Sequence, residues 1–131
     1  MSQENLEAVR RSFEAFNRGD LDAAFEDFAP DFELDLSRAI GIDRGTYSLA
    51  EFRRLTEQFA ETWESVRYEA DELIDAGEHV VMPFTNRLRG RDGIEVQARG
   101  IWLGTIHDGL IMRICLYQEL QEALEAAGLR E

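Results

Sequence analysis

Asp35 is the residue of this chain whose type and setting best suit proton transfer. It shares one side of the alternating run PDFELDLS with Glu33, while Phe32, Leu34 and Leu36 take the other side. Beside an apolar cavity, burial would disfavour its charged form and raise its pKa, which suits a general acid or base. The plainer alternative is a solvated carboxylate at a strand edge. Other chemistry is thinly represented. His79 and His107 stand far apart with no cysteine cluster, so no metal-ligand spacing is present. The single Cys115 lies mid-strand among apolar residues and reads as a small buried hydrophobe. There is no phosphate-cradling glycine loop and no nucleophile elbow; Gly90-Arg91-Asp92-Gly93 reads as a hairpin turn. Nothing calls for a metal or cofactor.

The bulk composition narrows the partners. A net charge of −13 argues against nucleic acid and against anionic membrane surfaces, both of which demand a basic face. No apolar run approaches the roughly 18 residues of a membrane span. The opening MSQENLEAVRR lacks a signal peptide's apolar stretch. With one cysteine and no intrachain disulfide, the cytoplasm is the expected home. The 131 residues, 44% hydrophobic and 31% charged, suit a single domain over 1–131 with its own core.

The elements that must position these residues read in order. Ser2 is a candidate cap for a first helix, in which Leu6, Val9, Phe13 and Phe16 recur at helical spacing. Gly19 ends it, and Asp20 caps a second helix, LDAAFEDFA, closed by Pro30. Asp31 to Ser37 is a half-buried strand, and 38–47 a loop holding Gly41 and Gly45. Ser48 and Glu51 form a capping box for a third helix, to about Glu64, with Leu49, Phe52, Leu55, Phe59 and Trp63 on its apolar face. Strands follow at Val66–Asp75 and His79–Arg89, with Pro83 expected at a bulge or an unpaired edge position. A long hairpin then spans Ile94–Gln118, turning at His107-Asp108-Gly109, with Gly100 and Gly104 inside its first strand. A short helix over Glu119–Ala127 closes the chain. Helices first and consecutive strands afterwards imply an α+β fold. The expected form is a cone-shaped barrel of a strongly bent, mostly antiparallel sheet. Three helices of the N-terminal half lie on its concave side, with a short C-terminal helix.

Three stretches together carry a resemblance: VRRSFEAFNRGDLDAAFEDFAPDFELDLS, HVVMPF, and HDGLIMRICLYQELQEALEAAGL. The chain resembles the SnoaL-like branch of the nuclear transport factor 2-like superfamily over nearly its whole length. That resemblance implies a cone with an apolar pocket, commonly a homodimer through the sheet, with members that are polyketide cyclases, ketosteroid isomerases, epoxide hydrolases or dehydratases. The stricter catalytic sets do not carry over. Ketosteroid isomerase uses an aspartate base and a tyrosine–aspartic acid oxyanion hole. Those positions fall here on Leu36, Ser12 and near Trp102. Of the Asp-Arg-Asp set of epoxide hydrolases, Glu119 alone has a counterpart. The single acid required of the polyketide cyclases is loose enough for Asp35 to meet.

By the isomerase register, the pocket parity is Met82, Phe84 and Asn86, then Ala98, Gly100 and Trp102, then Ile114 and Leu116. Trp63 would close the cone, and Phe16 would add to the lining from the first helix. Asn86 would orient a ligand carbonyl, and Trp102 would form a wall with an N–H to offer. Arg87, Arg99, Arg113 and Tyr117 take the opposite parity, either as a polar ladder or, if the register is inverted, as an anion site. Val81, Ile101, Leu103, Ile111 and Cys115 would share that outer face, which favours a homodimer through the sheet. Two functions remain open: cofactor-free acid/base catalysis of isomerase, cyclase or hydrolase type on a hydrophobic small molecule, or a non-catalytic module for hydrophobic-ligand binding or dimerisation.

Overall fold

A computed structural model describes residues 2–39 and 44–129. The side chain of Ser2 and the loop position Gly41 lie outside what is described. The order is α1 (Ser2–Arg18), α2 (Leu21–Ala24), β1 (Phe28–Asp35), β2 (Thr46–Ser48), α3 (Leu49–Thr62), β3 (Ser65–Ala70), β4 (Ile74–Ala76), β5 (His79–Arg89), β6 (Glu95–His107), β7 (Leu110–Tyr117) and α4 (Leu120–Ala126). The fold is α+β. Its seven-stranded sheet runs β2-β1-β7-β6-β5-β3, with β4 also on β5. All pairings are antiparallel except β1 with β7. The sheet is bent but open, with β2 and β3 as its ends, so the expected barrel does not close. Among the described residues no helix is long and apolar enough to cross a membrane.

Local signals fix most element ends. Gly19 leaves α1 at φ +78°, a conformation that glycine adopts without a Cβ penalty. The Asp20 carboxylate accepts the Ala23 N–H at 3.2 Å. At α3, Ser48 Oγ accepts the Glu51 N–H at 3.2 Å, and Glu51 Oε1 accepts the Ser48 N–H at 2.8 Å. Such caps are worth about 1 kcal/mol each.

The second helix departs from expectation. It is a single turn, and Phe28, Ala29 and Pro30 belong to β1. Pro30 pushes Ala29 toward extended backbone. Phe28 then finds Ile111 on β7 as its parallel partner, and the Ile111 N–H donates to the Asp27 carbonyl at 2.7 Å. Strand pairing overrides the helical spacing. The expected 66–75 strand likewise splits into β3 and β4. Pro83 sits where β5 changes neighbour between them, and its carbonyl accepts the Asp71 N–H at 2.8 Å.

The concave core joins α1, α3 and the sheet through a ring cluster. Phe52 of α3 lies within 6.4 Å, centroid to centroid, of Phe16, Phe25, Phe28 and Phe32. Aromatic pairs add about 0.5–1.5 kcal/mol beyond their area, so this cluster pins α3 over the sheet. On the convex face, Val81, Ile101, Leu103 and Cys115 are buried together with Ala123 of α4. These residues were expected to favour a homodimer through the sheet; within the chain, Ala123, Leu124 and Ala127 at α4 pack against them. Ile111, expected with them, is on the concave side. A bulge pairs Ile106 with Ile111 but Thr105 with Arg113, which turns Ile111 inward.

Candidate functional site

The bent sheet and helices α1 and α3 enclose a cavity of about 270 Å³. Helix α1 contributes Val9, Ser12, Phe13 and Phe16; helix α3 contributes Phe52, Leu55, Thr56 and Phe59. The sheet supplies Phe28 and Leu34 of β1, Tyr68 of β3, Met82 and Asn86 of β5, Trp102, Gly104 and Ile106 of β6, and Ile111 and Ile114 of β7, with Leu36 just past β1. Val9, Phe28, Met82, Ile106 and Ile111 are buried, whereas Leu55, Phe59, Asn86 and Trp102 are half-buried and mark the side toward solvent. No charged side chain lines the cavity among the described residues.

The lining is apolar apart from a few groups. Two of them are hydroxyls already engaged. Ser12 Oγ donates to the Ala24 carbonyl at 3.0 Å, and Thr56 Oγ1 to the Phe52 carbonyl at 3.0 Å. Beside the indole N–H of Trp102, the others are Tyr68 and Asn86, which stand directly opposite each other on β3 and β5. Alternation of side chains puts both on the concave face. Tyr68 is held from behind: the Asn17 amide donates to its carbonyl and accepts its N–H, both at 2.7 Å. Its ring centroid lies 5.5 Å from that of Phe16. Burial pushes the Tyr68 phenol up to about 12, so it is a neutral donor at physiological pH.

The residues singled out in the sequence are distributed unevenly. Phe16, Met82, Asn86, Trp102 and Ile114 line the cavity. Phe84 and Leu116 share the inward parity but do not reach it. Phe84 stacks on Trp102 with centroids 4.8 Å apart and forms a second layer behind that wall. Both Phe84 and Leu116 close over Gly100, where a Cβ would stand 2.8 Å from Phe84 Cζ and 3.2 Å from Leu116 Cδ1. Trp63 caps the end of α3 and lies in a separate shallow concavity with Thr62, Arg91, Ile94 and Val96. The non-inverted register holds: Arg87 and Arg113 are on the convex side, paired with Glu69 and with Glu33 and Asp35.

Asp35 does not line the cavity. It is 6% exposed on the convex side, opposite Cys115 of β7. Its Oδ2 accepts from Arg113 Nη2 at 2.5 Å, and its Oδ1 from the Ser37 N–H at 2.9 Å. Burial works to raise its pKa, but the Ser37 hydrogen bonds and the Arg113 charge outweigh burial and hold it below its ordinary value. The expected raised-pKa base in the cavity wall is therefore replaced by an ion-paired carboxylate outside it. Tyr68, which the sequence reading passed over, is the titratable group among the described residues that line the cavity. Its signal was available in Val66-Arg67-Tyr68-Glu69-Ala70, where Tyr68 shares parity with Val66 and Ala70 against two charges. Among the described residues no three His, Cys, Asp or Glu side chains gather as a metal set.

A family model for the SnoaL-like domain matches residues 9–114, and the chain belongs to that family. No curated protein matches it. Solved structures share the fold. A nuclear transport factor 2-like protein of Burkholderia pseudomallei superposes with a TM-score of 0.73 at 23% identity, covering 93% of this chain and 95% of that one. TerC, co-crystallised with polyporic acid, gives 0.74 at 20%, covering 95% and 98%. RV0760c of Mycobacterium tuberculosis, in complex with estradiol-17beta-hemisuccinate, gives 0.73 at 13%, covering 89% and 95%. At these identities the likeness concerns the fold alone.

Proposed function

We propose that this chain binds a compact, mainly apolar ring compound bearing a hydroxyl or carbonyl oxygen, and that it does so without general-base chemistry of its own. The observation that carries this reading is an apolar cavity that, among the described residues, is lined by no charged side chain and whose polar pair, Tyr68 and Asn86, stands side by side on facing strands without another hydrogen-bond partner there. An apolar pocket with a few convergent polar groups is the ordinary design of a small-molecule site. Its roughly 270 Å³ favours a compact molecule over a long lipid. Ring compounds carrying oxygen, polyporic acid and estradiol hemisuccinate, are the molecules held by two proteins of the same fold. A proton abstraction would need a base at the cavity wall, and the nearest sequence candidate, Asp35, is committed to Arg113. This favours the binding module over the acid/base enzyme.

The test is calorimetric titration with 2-naphthol of the wild type and of Gly104→Leu. Gly104 lines the cavity, and a Cβ there would meet only the flexible Met82 Cε, at 3.2 Å, and the Val80 carbonyl, at 3.9 Å. The variant should fold, by circular dichroism, and lose single-site binding. A folded variant that binds as the wild type does would overturn the assignment of the cavity.

A further inference from the structure

We infer that the free edge of β6 at Glu95–Arg99 pairs antiparallel with the same edge of a second copy of this chain, about a two-fold axis at Gln97. β7 accompanies β6 only as far as Ile101, opposite Tyr117. Among the described residues, β6 from Glu95 to Gly100 is therefore paired on its β5 side alone, and residues 91–99 are all exposed.

The direction of the backbone follows from two hydrogen bonds. The Gly90 N–H donates to the Ile94 carbonyl at 2.8 Å, so Ile94 turns its polar backbone toward β5. Residues of an antiparallel strand alternate in this respect. Glu95, Gln97 and Arg99 therefore point N–H and C=O away from β5, into the open edge. Pro83 agrees, since it faces Ile101, an odd-numbered residue, and sends its carbonyl the other way, to Asp71. Such an edge is a template for another strand.

The sequence of this edge is self-complementary. With Gln97 opposite the partner's Gln97, Glu95 faces the partner's Arg99 and Arg99 faces the partner's Glu95. On the concave side Val96 meets the partner's Ala98, and Ile94, 61% exposed in the single chain, meets the partner's Gly100. Registers centred on Glu95 or Arg99 would put like charges opposite each other. The centre at Gln97 alone sets Glu95 against Arg99. The wider charge distribution agrees. In a chain of net charge −13, the hairpin from 85 to 99 carries Arg87, Arg89, Arg91 and Arg99 against Asp92 and Glu95. Arg87 and Arg89 are met by Glu69 and Glu64 beside them, so this edge is near neutral and adds little to the mutual repulsion of two acidic copies.

Sedimentation velocity over a micromolar-to-submillimolar series tests this. The wild type should reach the mass of a dimer. Arg99→Glu and Glu95→Arg should each weaken association about tenfold, because two attractive cross-strand pairs become repulsive. The double variant should restore it. All three positions are exposed, so folding is retained, and Gln97→Pro, which removes an outward N–H, should be a monomer. A wild type that stays monomeric, a dimer indifferent to the single changes, or a double variant that remains weakened would each overturn the pairing.

Discussion

Tyr68 and Asn86 face each other across β3 and β5, and both turn into the same cavity. A phenol that stays neutral beside a carboxamide offers two donors and an acceptor to one ligand oxygen, in surroundings otherwise apolar. The pair defines the polar end of the site and gives the ligand its orientation.

Removing one donor should therefore cost affinity only for ligands that carry an oxygen. Tyr68→Phe is expected to weaken 2-naphthol about three- to tenfold, the worth of one hydrogen bond, and to leave naphthalene unchanged. Calorimetry with both compounds checks this. Equal losses for the two would mean that Tyr68 supplies shape and not a hydrogen bond.

The alkaline limb of stability should carry the signature of Tyr68. The unfolded phenol ionises near 10, the folded one near 12. Its contribution is thus fully present below the unfolded value and is lost as pH rises through the folded one. Tyrosinate absorbance should show a late-titrating group that disappears in Tyr68→Phe, together with a shallower loss of stability between those limits. A titration in which the variant and wild type differ near 10 instead would contradict the burial.

Asn17 acts through Tyr68. Its amide satisfies both backbone groups of that residue, so Asn17→Ala should lower stability by about 1–2 kcal/mol in urea denaturation. It should also let the Tyr68 phenol titrate closer to its ordinary value and weaken 2-naphthol. A stability loss with an unmoved titration would leave Asn17 as a structural tie alone.

Gly100 is held free of a side chain by Phe84 and Leu116. A Cβ at 2.8 Å from Phe84 Cζ forces that ring, and the Trp102 ring stacked on it, to shift. Gly100→Ala is expected to destabilise by about 1–3 kcal/mol, the usual penalty of overpacking, and to alter tryptophan fluorescence. An emission spectrum and a denaturation midpoint equal to the wild type would refute the close approach.

Asp35→Asn should leave 2-naphthol binding unchanged, because the carboxylate lies on the convex side. It should lower stability near neutrality by weakening the Arg113 contact. The depressed folded pKa makes the Asp35 contribution present above the unfolded value, about 3.9, and lost as pH falls through the folded one. The deficit of the variant should therefore shrink in acid. A deficit that grows in acid would reverse the assigned shift.

What the sequence determined by itself was what local signals govern where no long-range pairing competes with them. Helical spacing in α1, the Ser48–Glu51 box, the Asp-Gly hairpin turn and the stretches shared with the SnoaL-like family were enough for the α+β fold and for the parity of Met82, Asn86, Trp102 and Ile114. Tertiary structure decided what depends on long-range pairing. Parallel pairing with β7 turned Phe28 from helix to strand, and a bulge turned Ile111 inward. Parity alone says which way a side chain points, not how far it reaches, so Phe84 and Leu116 ended over Gly100 and not at the cavity. Asp35 was misplaced for a related reason. Alternation put it correctly opposite Leu34, but only the arrival of Arg113 from a strand 78 residues away in sequence showed which face was polar and why a buried carboxylate there stays ionised.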